Sequence, residues 1–215
     1  MEPEYAGDDI IVFTNAAVGC RHRPDRYVGD VASESAVSSL LQETMCMALD
    51  SAASGDATRI RVTRGIDHSL AVHDNGEPYA PTRFVGDKPV YELLFTELFA
   101  CRQLKNNGEE VCGDGIVVAC ALSKWLKVDI SWGGKHWHQA FTKGEPDSPI
   151  REVADTDSDW RQISFLPDSE IFPSIELNID VFNGWIADKP CDLGSCEIVF
   201  DDKLSGSEST LHAAS

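Results

Sequence analysis

The sequence predicts an α+β fold, with helices packed on one face of a mixed sheet, and three observations carry that reading. Apolar residues recur at helical spacing early in the chain, and they mostly alternate later. Clusters of glycine, proline and aspartate split the alternating runs into short pieces. Helices first and a late series of strands point to two segregated layers. At 215 residues the chain can bury one sizeable core, with or without an appendage.

Taken in order, Val37, Leu40, Leu41, Met45, Ala48 and Leu49 give residues 35–54 a helical stripe, with serines before it and Gly55 as a stop. The segments RIRVT (59–63) and SLAVHD (69–74) alternate on either side of Gly65 and predict a hairpin. Residues 90–104 predict a second helix, amphipathic on its leucine and phenylalanine positions. A polar, glycine-marked loop follows at 105–115, and then a third helix at 116–126. KVDISW, HWHQAFT, RQISFLP, IELNIDVF and CEIVF read as strands. The end of the chain, LSGSESTLHAAS from Leu204, has the small polar composition of a loose tail.

The formal charge of −18 argues against a protein that grips a phosphate backbone directly, because such a protein presents a basic face. A solvated acidic surface that aids solubility is the simpler reading. No apolar segment approaches the roughly 20 residues of a membrane helix. The acidic start, MEPEYAGDD, lacks the form of a secretory signal. With seven scattered cysteines and no such signal, reduced thiols and a cytoplasmic location are expected. Cys191 and Cys196 have the spacing of a small clip, but no second pair or matched histidines accompany them to make a zinc site.

Glu43 and Met47 share a face of the first helix, and Asp50 lies one turn further on. Asp74 ends a strand and leads into the glycine turn Asn75-Gly76. Gly113 and Gly115 stand where a loop becomes a helix, a place where backbone N–H groups can face an anion. Each feature alone is commonplace, since helix glutamates are usually solvated and Asp-Asn-Gly usually makes a plain turn. Their order and spacing are what lift the signal.

In that order the chain resembles the GHKL ATPases, and within them the N-terminal domain of the B subunits of DNA gyrase and topoisomerase IV. The matching segments are RPDRYVGD (23–30), LLQETMCMALDSA (40–52), VHDNGEP (72–78), CGDGIVVACALSKWLKV (112–128), FTKGEP (141–146) and ISFLPDSEIF (163–172). The resemblance implies a two-layer GHKL sandwich over 35–182. An N-terminal arm and lead-in segment would occupy 1–34, and a C-terminal strand with a loose tail 183–215. It also implies roles. Glu43 would be the general base that activates water, and Asp74 the acceptor of the adenine amino group. Gly76 would let the backbone approach the base, Gly113 and Gly115 would line the triphosphate, and Asp50 would be a supporting carboxylate.

Several positions depart from that pattern. The asparagine that bridges to magnesium falls on Met47, and a soft thioether is a poor ligand for a hard cation. The Gly-Gly before the phosphate loop reads Glu109-Glu110, and the histidine there is Cys112. Carboxylates near a triphosphate would repel it. The adenine-holding Gly-Thr falls on Trp160-Arg161, so either side chain could fill the adenine cavity; Met47 and Trp160 equally fit simple packing. By the same resemblance, the residues beyond the sandwich leave no room for a transducer domain, with its lysine-bearing loop, or for a toprim region.

The expectation is therefore a stand-alone pseudo-ATPase with no cofactor and no bound metal, working through a protein partner. That partner would be a gyrase or topoisomerase subunit, or a second copy of the chain, with no direct DNA or membrane binding. The alternative is a divergent, slowly hydrolysing ATPase of the type II topoisomerase family, with ATP and magnesium as its cofactors.

Overall fold

The computed structural model describes residues 13, 15–100, 115–188 and 195–211. Its short opening helices are α1 (Ala16–His22) and α2 (Asp25–Val28). The Asn15 side chain starts α1 by accepting from the Val18 amide at 2.9 Å, which satisfies one of the unpaired donors of the first turn. The long helix α3 (Ala36–Ala53) follows with the predicted apolar stripe inward: Leu40, Leu41, Met45, Ala48 and Leu49 are all buried.

Strands β1 (Arg59–Arg64) and β2 (Leu70–Asp74) form the expected antiparallel hairpin. A small ribbon of β3 (Phe84–Val85) and β4 (Lys88–Pro89) leads into α4 (Val90–Thr96). The helix expected over 90–104 therefore stops early. Glu97 adopts an extended backbone, and its carboxylate accepts from Lys88 Nζ at 2.5 Å, tying the chain back to β4. Residues 101–114 lie outside the described residues.

The third helix is also shorter than expected, with α5 spanning only Val117–Ala121. Ser123 Oγ donates to the Ala119 carbonyl at 2.6 Å, and the chain then enters β5 (Ser123–Trp132). The apolar positions read as helical at the end of that segment belong to a strand: Leu126 lies between Phe141 and Phe165 on its two neighbours. The next strands are β6 (Lys135–Thr142), β7 (Glu145–Pro146), β8 (Arg151–Asp155) and β9 (Trp160–Pro167).

The segment IELNIDVF, read as a strand, is overturned. Its second half opens α6 (Ile179–Ala187). Asn178 accepts from the amides of Asp180 and Val181, and the buried Phe182 and Ile186 stand one helical turn apart. After it come β10 (Glu197–Asp202) and β11 (Ser207–Leu211). Part of the segment read as a loose tail is thus a strand. Its polar side chains are exposed, while its backbone pairs with β10.

The main sheet runs β11-β10-β1-β2-β9-β5-β6-β7, with β8 also paired to β6. It is mixed because β10 lies parallel to β1, whereas the other pairs are antiparallel. Burial alternates along the central strands: Leu70, Val72 and Asp74 are buried on β2, and Arg161, Ile163 and Phe165 on β9. That alternation is the mark of a sheet covered on one face. Helix α3 packs on β2 from that side, and the core joins Leu40, Leu49, Val72, Phe95, Phe165 and Phe182. Among the described residues, no helix is long and apolar enough to cross a membrane.

Candidate nucleotide site

Among the described residues, the covered face of β2 and β9 carries one buried charge pair. Asp74 ends β2 directly opposite Arg161 on β9, and their row is flanked by Ile60 on β1 and Ile130 on β5. Asp74 is 1% exposed and Arg161 3%. Both Nε and Nη2 of Arg161 donate to Asp74 Oδ2, at 3.0 and 2.8 Å. The other oxygen, Oδ1, accepts the Gly76 amide at 3.1 Å. Each carboxylate oxygen therefore already has a donor from within the chain.

The Asp-Asn-Gly turn has a job of its own. Asn75 Oδ1 accepts the amides of Thr58 and Arg59, and its Nδ2 donates to Thr58 Oγ1, so Asn75 stitches the end of β2 to the start of β1. Gly76 sits where a Cβ would lie 2.9 Å from Ser51 Cβ and 3.1 Å from Asp74 Oδ1. The glycine is needed for this close approach to α3.

Helix α3 supplies the opposite wall. Glu43, Met47 and Ser51 recur every four residues, and Asp50 is half-buried one residue before Ser51. Glu43 Oε2 accepts the Gly115 amide at 3.0 Å, which joins the helix to the segment leading into α5. Gly115 has φ +106°, a conformation that side-chain-bearing residues rarely adopt. Met47 is 7% exposed and lies in the hydrophobic core. Gly113, together with Glu109, Glu110 and Cys112, falls outside the described residues.

Tyr91 on α4 and Ser51 were not singled out in the sequence. Tyr91 is fully buried and donates to the Tyr79 carbonyl at 3.0 Å. Burial pushes its phenol well above the ordinary value. Ser51 Oγ accepts a long 3.4 Å contact from Arg161 Nη2. Its signal was its spacing, two turns beyond Glu43 on the same face.

Trp160, the other candidate to fill the cavity, points to the opposite side of the sheet. It stacks on His73 at 5.7 Å between ring centroids and meets His136 at 5.3 Å.

These residues fit ATP and magnesium poorly. The carboxylate that the resemblance assigns to an amino group holds a guanidinium, and a buried thioether stands at the position it assigns to an oxygen ligand of a hard cation. Among the described residues, no group of three or more histidine, cysteine, aspartate or glutamate side chains is placed to hold a metal ion.

A two-layer sandwich with a candidate site between its long helix and the central strands describes a class of ATPase domain, and the fold matches one closely. Superposition on the 43K ATPase domain of Thermus thermophilus gyrase B, solved in complex with an aminocoumarin, gives a TM-score of 0.79 at 28% identity. It covers 93% of this chain and 52% of that one. In sequence the chain is 33% identical over 187 residues to the B subunit of DNA gyrase from Myxococcus xanthus, spanning 84% of the chain and 23% of that protein. It is 31% identical over 198 residues to the Thermus thermophilus gyrase B, spanning 88% of the chain and 31% of that protein. Against the B subunit of DNA topoisomerase 4 from Staphylococcus aureus the figures are 29% over 211 residues, 95% and 32%. No family model matches. By homology and by fold, the chain belongs with the gyrase-B-like ATPase domains of the GHKL family. It spans about a quarter to a third of the length of these curated relatives.

Proposed function

We propose that this gyrase-B-like domain is a pseudo-ATPase that acts by binding a protein partner and does not turn over ATP. The observation that carries the reading is Met47. It is buried on α3 one turn from Glu43, at the position where the resemblance calls for a magnesium-bridging amide. Phosphoryl transfer rests on metal and positive charge gathered around the transferred group. Glu43 remains as a carboxylate that could orient water, but its Oε2 is engaged by the Gly115 amide.

The partner that suits this reading is a gyrase or topoisomerase subunit, or a second copy of the chain, since the relatives are subunits of such enzymes by name. The acidic balance of the chain, −18, disfavours direct DNA binding.

The test is steady-state ATP hydrolysis by the purified protein at saturating magnesium. The pseudo-ATPase reading expects no turnover above that of the Glu43→Ala variant. Magnesium-dependent turnover that Glu43→Ala abolishes would sink it. It would instead establish the second reading, a divergent ATPase of the topoisomerase family, which the retention of Glu43, Asp74 and Gly76 favours.

A further inference from the structure

We infer that Arg161 is an internal substitute for the ligand. It holds Asp74 as an adenine amino group would, and it is the residue that keeps an adenine nucleoside out of this chain. The inference rests on the nucleotide-site reading of Asp74 and concerns binding alone, not turnover.

Three facts on the covered face support it. First, Arg161 spends both inward N–H groups, Nε and Nη2, on one oxygen of Asp74. An exocyclic amine would present its donors to that same acceptor. Second, the remaining Asp74 oxygen is committed to the Gly76 amide, a contact made by the turn itself. Third, the guanidinium is buried: Ser51 Oγ lies 3.4 Å from Nη2, Ile60 and Ile130 flank the row, and the side chain is only 4% exposed.

An incoming adenine would have to expel a cation from a buried carboxylate. Truncating one partner of a buried pair, by contrast, leaves a charge that strongly favours a replacement donor. Arg161→Thr should therefore create a vacancy with an unpaired acceptor at its floor. An adenine nucleoside that enters would supply the missing donor through its exocyclic amine.

The experiment is calorimetric titration of the full chain with adenosine, without magnesium. The wild type is expected to give no binding heat at concentrations up to about 1 mM, while Arg161→Thr gains at least about tenfold in affinity. Guanidinium chloride at about 10 mM should compete with adenosine on Arg161→Thr and raise that variant's melting temperature, because it binds only the folded form. It should do neither to the wild type.

If Arg161→Thr does not fold, Arg161→Gln takes its place. It removes the charge yet leaves an amide N–H for Asp74, and it should show the same gain in smaller measure. Equal adenosine binding by wild type and variant overturns the inference, because Arg161 would then be no barrier. So does a folded variant that binds no adenosine. Neither result touches the pseudo-ATPase reading, which falls only to turnover by the wild type.

Discussion

Two arginine–aspartate pairs, each with a buried carboxylate, bridge neighbouring strands of the main sheet. Arg64 meets Asp202 across β1 and β10, and Arg161 meets Asp74 across β2 and β9. Asp202 is gripped on both oxygens: Arg64 Nε donates to Oδ1 at 2.9 Å and Nη2 to Oδ2 at 2.6 Å. The Leu204 amide and the Ser205 hydroxyl add further donors, and Arg64 Nη1 reaches the Leu177 carbonyl at 3.4 Å. That fork fastens the β10–β11 turn and the lead-in to α6 onto β1, and every contact in it belongs to scaffold. Arg161 instead converges on a single oxygen between Ile60 and Ile130, with, among the described residues, a long contact to Ser51 beyond it. The same chemical pair thus ties several segments together in one place and, on the reading proposed above, fills a site in the other.

The largest expected effect breaks each pair in turn. Arg64→Ala and Arg161→Ala should each cost about 3–5 kcal/mol in urea unfolding, since each leaves a buried carboxylate uncompensated. Removing both charges separates the two. Arg161→Met with Asp74→Asn keeps an acceptor for the Gly76 amide and should return to within about 1–2 kcal/mol of wild type. Arg64→Met with Asp202→Asn should recover less, because the Leu177 carbonyl loses its donor and the turn loses its double grip. Equal recovery in the two double variants would erase the distinction between scaffold and site.

A smaller effect concerns the wall beside Asp74. Gly76→Ala would push a methyl to 2.9 Å from Ser51 Cβ, so α3 or the turn must move, at about 1–3 kcal/mol. Gly184, inside α6, has nothing within 4 Å of a Cβ built on it. There alanine should stabilise by roughly 0.5–1 kcal/mol through helix propensity alone. Opposite signs in the two unfolding midpoints are expected. A harmless Gly76→Ala would mean that the close approach of turn and helix is not required.

Much of this arrangement was legible in the residues alone. The stripe from Val37 to Leu49 set α3, and alternation around Gly65 set the hairpin ending at Asp74, because both patterns follow local periodicity. The misreadings share one cause. IELNIDVF alternates well enough for a strand until Asn178 caps a helix inside it, and LSKWL looks helical until Leu126 finds Phe141 and Phe165 across the sheet. Ser207–Leu211 has too little apolar character to announce a strand, since only its backbone is engaged. At the site, the sequence offered Arg161 and Trp160 as equal candidates to fill the cavity. The period-two alternation of β9 decides between them, because adjacent residues face opposite sides of the sheet.

The smallest expected effect separates the two regions by pH. On β2, one residue before Asp74, His73 is half-buried on the opposite face, and burial lowers its pKa below the ordinary 6.5 despite the nearby Asp74 charge. Its neutral form is the one the fold favours, so the unfolded chain binds more protons as pH drops. The contribution is whole above about pH 6.5 and is lost as pH falls through the lower, folded-state value. Asp202 is shifted by other means: the hydrogen bond from Arg64 holds its carboxyl well below the ordinary 3.8. Its stabilisation is present above that value and is lost only as pH falls further. Denaturation midpoints measured from pH 8 down to pH 3 should therefore decline in two limbs. His73→Gln should flatten the upper limb and leave the lower one in place, because the Arg64–Asp202 fork is untouched. An upper limb that survives unchanged in His73→Gln would mean that the burial of His73 is not its source.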